Sequence, residues 1–483
     1  MKPFIGRKAE LKKLRDLYDL QKTSLAVIKG RRRIGKSSLV FEFANGVSSR
    51  PAKGKRFFSF TGLAPSEGVS AQSQRDHFGH QLASHLNVPP MTFHDWTEAF
   101  TYLAHHLTDK GTVVLFDEIS WMGTKDPTFV PKLKAWWDTT LLKKPHIVLI
   151  FCGSVSTWIE ENILNSTAFF GRVSLTITLE AFSITESAEF LKALGVKGSP
   201  FDIYKLLSVL GGVPWYLEQL QPNITADQNI KNLCFQKDGL LVREFDRIFH
   251  DLFNGLGSTY KKILESLKEG MKTLADIRIA IEFPTSGTLS SLMKNLITCG
   301  FVSQHHQWSM KTEKIRKQSL YRICDPYLRF YLKMIEPHKH RIDQGAYEAL
   351  QPSQIQGFET HIGLQVEQLL LQNRSLLLEK IGVPPGECVF DAPYRQTKTL
   401  RTKGCQIDYL IQTSTKNLFL CEFKFKRREL GTEIIDDIKE KMSRLSIPRG
   451  FAIVPVLFHI GGVSEPVYDR RFFYRIIDIA DFL

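Results

Sequence analysis

The stretch SLAVIKGRRRIGKSSLVFEFA, residues 24–44, limits the fold more than any other part of the chain. Residues 24–28 read as a buried strand, and the run from Lys36 reads as a helix. Between them stand Gly30, four further residues, then Gly35, Lys36 and Ser37, which is phosphate-loop spacing in its proper strand and helix context. The glycines let backbone N–H groups wrap a phosphate, and the helix amino terminus adds positive potential. Arg31, Arg32, Arg33, Ile34 and Ser38 complete the cradle; Lys36 is placed to reach the β and γ phosphates of ATP, and Ser37 to hold Mg²⁺. A strand, a glycine loop and a helix in this order predict an α/β fold with a parallel sheet.

Such a loop needs a second strand that carries a metal-organising carboxylate. GTVVLFDEISWMG supplies Asp117 and Glu118 after four apolar residues, at the carboxyl end of a buried strand, where ligands collect in open α/β sheets. Asp117 would hold Mg²⁺ through water, and Glu118 would act as the base for the attacking water. The next strand, HIVLIFCGSVSTWI, ends in Ser154, suited to sensing the γ-phosphate; Ser154 or Ser156 could equally cap a following helix. Arg172, in a turn before another strand, stands where an arginine can reach a phosphate of the same or a neighbouring subunit.

The chain has 483 residues, enough for two to four domains, and a net charge of +14, which favours polyanions such as nucleic acid. No apolar run approaches the roughly 20 residues that span a bilayer, and the amino terminus lacks a signal-peptide core, so a cytoplasmic location without membrane attachment is expected. Seven scattered cysteines without a C-x-x-C pair read as reduced core thiols.

FIGRKAEL, GRRRIGKSSL, LFDEISWM, CGSVSTWI, FFGR and GGVPWYL together resemble the archaeal-type ATPases, of the signal-transducing branch of AAA-like P-loop ATPases. The resemblance runs over most of the chain. It implies a helical lid in which Gly212 and Pro214 couple nucleotide state to domain position, and an adenine pocket lined by Phe4 to Arg7. From the residues alone, Gly-Gly-Val-Pro is a loop signal.

Beyond the lid, three amphipathic segments are followed by two strands around a basic turn, the order of a winged helix, which the resembling ATPases also carry. Its recognition helix is expected over 286–299, with Lys294 as its main cation. Lys311, Lys314, Arg316 and Lys317 of the wing suit backbone contact without base readout. The aromatic segment YRICDPYLRFYLKMI reads as a core helix, and residues 337–340 as a linker.

In CQIDYLIQTSTKNLFLCEFKFKRREL, two strands carry Asp408 in one, and Glu422 and Lys424 on one face of the other. Paired as a hairpin, they place Asp408 opposite Glu422, a site for a hard divalent cation, with Lys424 beside the attacking water. Charged residues that blunt an edge strand are the plainer alternative. Asp followed by Glu-x-Lys is the layout of PD-(D/E)XK nucleases, although no proline adjoins Asp408. The resembling ATPases end in such a domain, where a helix glutamate completes the set; that implies Glu367, with Glu359 as the alternative.

The expected architecture is a P-loop ATPase core with parallel sheet and helical lid over 1–250, a winged helix over 251–340, and a mixed α/β restriction-endonuclease-like domain over 341–483. The expected function is ATP hydrolysis whose nucleotide state controls action on nucleic acid, DNA before RNA, with homo-oligomers or nucleotide-dependent assembly as further partners. A signalling switch or scaffold with a non-cleaving third domain is the alternative, and an ATP-gated DNA-binding regulator a third.

Overall fold

The computed structural model describes residues 4–48, 57–123, 125–154, 157–253, 257–284, 288–396, 398 and 403–483. The chain divides into two compact units that meet in sequence at Ala181 and Phe182. Helices from Ile184 onward, expected as part of the core over 1–250, fall in the second unit.

The first unit is built on five parallel strands: β1 (Ser24–Gly30), β2 (Phe57–Thr61), β3 (Thr112–Asp117), β4 (Ile147–Ser154) and β5 (Val173–Leu179), in the order β2-β3-β4-β1-β5. Every residue of β3 and β4 is buried, as a parallel sheet covered on both faces requires. β4 lies between the strand that feeds the phosphate loop and the strand that ends in Asp117. The register pairs Gly30 with Ser154 and Phe116 with Phe151, so three strand ends meet along one edge.

Aromatic packing fixes that edge from below. The Phe116 ring lies 5.7 Å from Phe60, 6.0 Å from Phe100, 6.2 Å from Trp136 and 6.0 Å from Phe151. The residue directly before the acidic pair is therefore held on several sides by interdigitated rings.

The second unit begins with helices Ile184–Ala193, Pro200–Leu210, Pro214–Leu217 and Ala226–Cys234. A Cβ on Gly212 would stand 2.1 Å from the Phe182 carbonyl oxygen, so the Gly-Gly-Val-Pro turn is a crossing of two backbones that only glycine allows. Next come helices Gly257–Leu267, Leu274–Ala280 and Thr288–Thr298 with an antiparallel sheet of β6 (Lys272–Thr273), β7 (Val302–Ser309) and β8 (Lys314–Ile323), ordered β6-β8-β7. The helix expected over 286–299 is thus present as Thr288–Thr298; Ser286 lies outside the described residues.

The core helix after β8 is present as Pro326–Phe330 and the turn Tyr331–Ile335, capped where Asp325 Oδ1 accepts the Leu328 N–H at 2.6 Å. The linker expected at 337–340 is a correction: a 3-10 turn, Glu336–His338, runs into the helix Lys339–Asp343. Pro337 sits in the first positions of that turn, where its missing N–H costs no bond.

Helices Phe358–Gln372 and Arg374–Ile381 precede a mixed sheet of β9 (Cys388–Gln396), β10 (Cys405–Thr413), β11 (Asn417–Lys424), β12 (Ala452–His459) and β13 (Arg475–Asp478). Its order is β13-β12-β11-β10-β9, antiparallel from β9 to β11 and parallel from β11 to β13. Helix Glu433–Arg444 joins β11 to β12, and its Ile434, Ile435 and Ile438 pack with Leu410, Leu420 and Leu457. The hairpin of the sequence reading is therefore the middle of a larger sheet, whose strand β9 the alternation had not marked.

The β7–β8 hairpin is fastened to this sheet. Trp308 Nε1 donates to Gln412 Oε1 at 2.7 Å, and Gln412 Nε2 donates to the Met310 carbonyl at 3.2 Å. The Trp308 ring stacks on Phe390 at 5.5 Å and meets Tyr394 edge-on at 5.4 Å. Trp308 is 1% exposed and joins the core of the mixed sheet. Trp308→Ala should cost about 3–5 kcal/mol of stability, measured by denaturant titration of the full chain.

Candidate functional site

The phosphate loop is shaped by two constraints. A Cβ on Gly30 would lie 2.5 Å from the Leu179 carbonyl oxygen, so strand β5 admits only glycine there. Arg33 and Gly35 adopt φ of 67° and 88°, left-handed conformations that turn the backbone into a concave run before the helix Lys36–Ser48. Lys36 Nζ donates to the carbonyls of Gly30 and Arg31, each at 3.0 Å, which places the amine in the mouth of the loop. Arg7, buried, donates to the Glu180 carbonyl at 2.6 Å and the Ile34 carbonyl at 3.3 Å, which ties the amino-terminal segment to the same loop. Arg32 lies 5.1 Å over the Trp121 ring.

The acidic strand end meets this loop. Ser37 Oγ donates to Asp117 Oδ2 at 2.6 Å, so hydroxyl and carboxylate, the two oxygen donors that a hard cation such as Mg²⁺ takes, stand side by side. Glu118 follows with φ of 47°, a left-handed conformation for a residue with a side chain, which costs about 1–3 kcal/mol and clusters at functional sites. The turn aims its carboxylate at the end of β4, where it accepts from Ser154 N at 3.3 Å and Ser154 Oγ at 3.3 Å. Ser154 is thus tied to Glu118; Ser156 lies outside the described residues. Behind them, burial first and then the Asp117 charge push the Cys152 thiol well up, consistent with an inert core thiol.

Arg172 is engaged locally: its Nε and Nη2 bind Asp138 at 2.7 and 2.9 Å, and this pairing, with Lys134 adding, holds the Asp138 carboxyl down at about 2. Pro214 begins the short helix Pro214–Leu217 of the second unit.

A second cluster lies on the mixed sheet. Tyr409 pairs with Cys421, so one further step of the register sets Asp408 opposite Glu422. A bulge between Ile407 and Leu410 in the β9–β10 pairing re-aims this stretch, a device common beside functional sites. Glu422 is 2% exposed, with Lys424 Nζ on one oxygen at 2.8 Å and Lys441 Nζ on the other at 2.5 Å. Asp408 Oδ2 accepts the Phe423 N–H at 3.1 Å. Burial, then the charges of Glu422 and Glu367, raise the Asp408 carboxyl to about 7. Burial also raises Glu367, against the pull of Arg322 and Arg329, and Glu422 adds to the rise. Lys441 is kept charged: burial opposes its charge, but Asp408 and Glu422 outweigh burial and lift it above its ordinary value.

Asp408, Glu422 and Glu367 are therefore brought within electrostatic reach of one another, and Lys424 joins them through Glu422. Glu359 is not; it pairs with Lys205 at 3.1 Å. Lys441, on the helix Glu433–Arg444, was missed by the sequence reading, although one lysine among several on an amphipathic helix carries no mark of its own. The donors are right for a hard divalent cation, but among the described residues no three acidic or imidazole groups stand close enough to enclose one. In the present arrangement lysines take both Glu422 oxygens.

Two predictions follow from these geometries. Glu118→Gln should lower the ATP turnover number by about 10²–10⁴-fold while nucleotide affinity is kept, read by steady-state kinetics beside nucleotide titration. Asp408 titrates near 7 when folded and near 3.8 when unfolded, so the stability it contributes is full below about pH 4 and lost as pH rises to about 7. Asp408→Asn should accordingly raise Tm at pH 8 and leave it little changed near pH 4.

Known proteins bear on the first site. Residues 4–220 match the family of ATPase domains found predominantly in archaea. An uncharacterized protein of Methanocaldococcus jannaschii is 25% identical over 353 residues, which span 71% of this chain and 72% of that protein. Among solved structures, the Walker-type ATPase of Pyrococcus abyssi aligns with 68% of this chain and 96% of its own at a TM-score of 0.48 and 15% identity. The Aeropyrum pernix ORC2 protein aligns with 72% of this chain and 97% of its own at 0.45 and 14%. No helix among the described residues is long and apolar enough to cross a membrane. The loop and the acidic strand end both lie within residues 4–220, the segment that is similar to this predominantly archaeal family of ATPase domains.

Proposed function

We propose that the protein hydrolyses ATP at the edge formed by β1, β3 and β4, and that nucleotide state controls a carboxyl-terminal half that engages and cuts nucleic acid. The observation that supports the ATPase step is the pair of contacts Ser37–Asp117 and Ser154–Glu118, which gather at the edge where β1, β3 and β4 end. Lys36 would stabilise charge on the β and γ phosphates, the loop N–H groups would orient them, and Glu118, held by Ser154, would take the proton of the attacking water. Ser37 and Asp117 would hold Mg²⁺, which screens the phosphate charge. The pair Arg172–Asp138 would have to open for Arg172 to act on a phosphate.

The segment 257–323 is read as a winged helix, from three helices followed by the β7–β8 hairpin, and the mixed sheet as a PD-(D/E)XK fold, from its antiparallel β9–β11 and parallel β11–β12 with Asp408, Glu422 and Lys424 at mid-sheet. Asp408, Glu422 and Glu367 are the residues that would hold a divalent cation, and with it activate a water, only once they close together and Lys424 and Lys441 leave the Glu422 oxygens; Lys424 would then be free to orient that water. Lys424→Ala should abolish cleavage of plasmid or linear DNA in Mn²⁺ or Mg²⁺, and Lys36→Ala should remove its dependence on ATP. Cleavage that survives Lys424→Ala would refute the nuclease assignment.

The occupation of both Glu422 oxygens by lysines favours a second reading, an ATP-driven switch or scaffold whose carboxyl-terminal domain binds without cutting. It predicts nucleotide-dependent assembly, read by light scattering, with no cleavage of any substrate.

A further inference from the structure

We propose that the wing hairpin and the groove beside Asp408 form one continuous cationic track that carries a nucleic-acid backbone to the carboxylate cluster. This deepens the nucleic-acid reading above and rests on it. Lys311, Lys314, Arg316 and Lys317 are all exposed. The hairpin that bears them is anchored through Trp308 and Gln412, so these charges hold a set position beside β9 rather than swinging free as an independent reader of DNA.

Arg316 interacts with the Tyr394 hydroxyl, and the next residue of β9 is the exposed Arg395. Arg395 lies within electrostatic reach of Asp276, and so adjoins the three-helix segment. It also lines a groove of about 570 Å³ together with Gln406, Asp408, Lys441 and Arg444. Gln396 sets the groove's width: its Nε2 donates to the Arg444 carbonyl at 2.8 Å and its Oε1 accepts the Ser446 N–H at 2.8 Å, which pins the end of helix Glu433–Arg444 to β9. Cations thus run from the wing, over β9, to the wall of the groove in which Asp408 stands. Such a line matches phosphates rather than base edges, so it positions a strand without reading sequence.

The test is metal-free binding of labelled duplex and single-stranded DNA to the full chain, by fluorescence anisotropy over a range of salt in EDTA. The variants are Arg316→Gln with Lys317→Gln, Arg395→Gln, and the three combined, with Lys197→Gln as a control outside the track. The track predicts that the wing pair and Arg395→Gln each weaken binding several-fold, that the slope of log affinity against log salt falls by about one for each cation removed, and that Lys197→Gln does neither. Arg395→Lys should restore binding, which separates loss of charge from loss of fold. If Arg395→Gln leaves binding unchanged while the wing pair weakens it, the wing binds alone and the track is wrong. Cleavage with undiminished affinity in the triple variant would also overturn the track, yet spare the nuclease reading. Binding that needs these cations, without cleavage by the native chain in Mn²⁺, would uphold the track and defeat the nuclease reading.

Discussion

The hydrogen bond from Ser37 to Asp117, 2.6 Å long, joins two strand ends that are not neighbours in the sheet. It forms because β4 separates β1 from β3 and all three run parallel, so the first residues after the phosphate loop and the last residue of β3 reach across the end of β4. Ser154, at that end, then faces Glu118. A different strand order would scatter these four side chains. The aromatic packing under Phe116 and the backbone approach at Gly30 serve the same edge, one holding β3 from below and the other seating the loop against β5.

The carboxyl-terminal half meets another constraint, the burial of charge. Ionised carboxylates away from water are costly unless paired and hydrogen-bonded. Glu422 meets that requirement with two lysines and Asp408 with the Phe423 N–H, while burial and its acidic neighbours push Asp408 toward its neutral form. Groups arranged in this way are expensive as scaffolding and common at sites of chemistry. Lys441 therefore neutralises the acids and at the same time walls the groove in which Asp408 stands.

Much of the geometry of the candidate nucleotide site was legible in the sequence, because the phosphate loop depends on local spacing: Gly30, Gly35, Lys36 and Ser37 lie within eight residues. Asp117 and Glu118 were legible because a buried parallel strand writes a continuous apolar run before them. The pairing of Asp408 with Glu422 followed from hairpin register. What the sequence left dark depends on distant partners. Strand β9 lacks clean alternation because the β7–β8 hairpin and the bulge of β10 both act on it, Lys441 resembles any surface lysine, and the anchoring of Trp308 on Gln412 joins positions far apart in the chain. The proline at 337 suggested a linker, although a proline in the first turn of a helical segment is well tolerated.

The central proposal, that nucleotide state governs engagement of nucleic acid by the carboxyl-terminal half, is tested most directly by one comparison. The affinity of the full chain carrying Glu118→Gln for a labelled DNA duplex would be measured in saturating ATP and in saturating ADP at one salt concentration. The account predicts affinities that differ by about tenfold, the usual scale of coupling between two sites. Equal affinities in the two nucleotides, with both nucleotides shown to be bound, would contradict it.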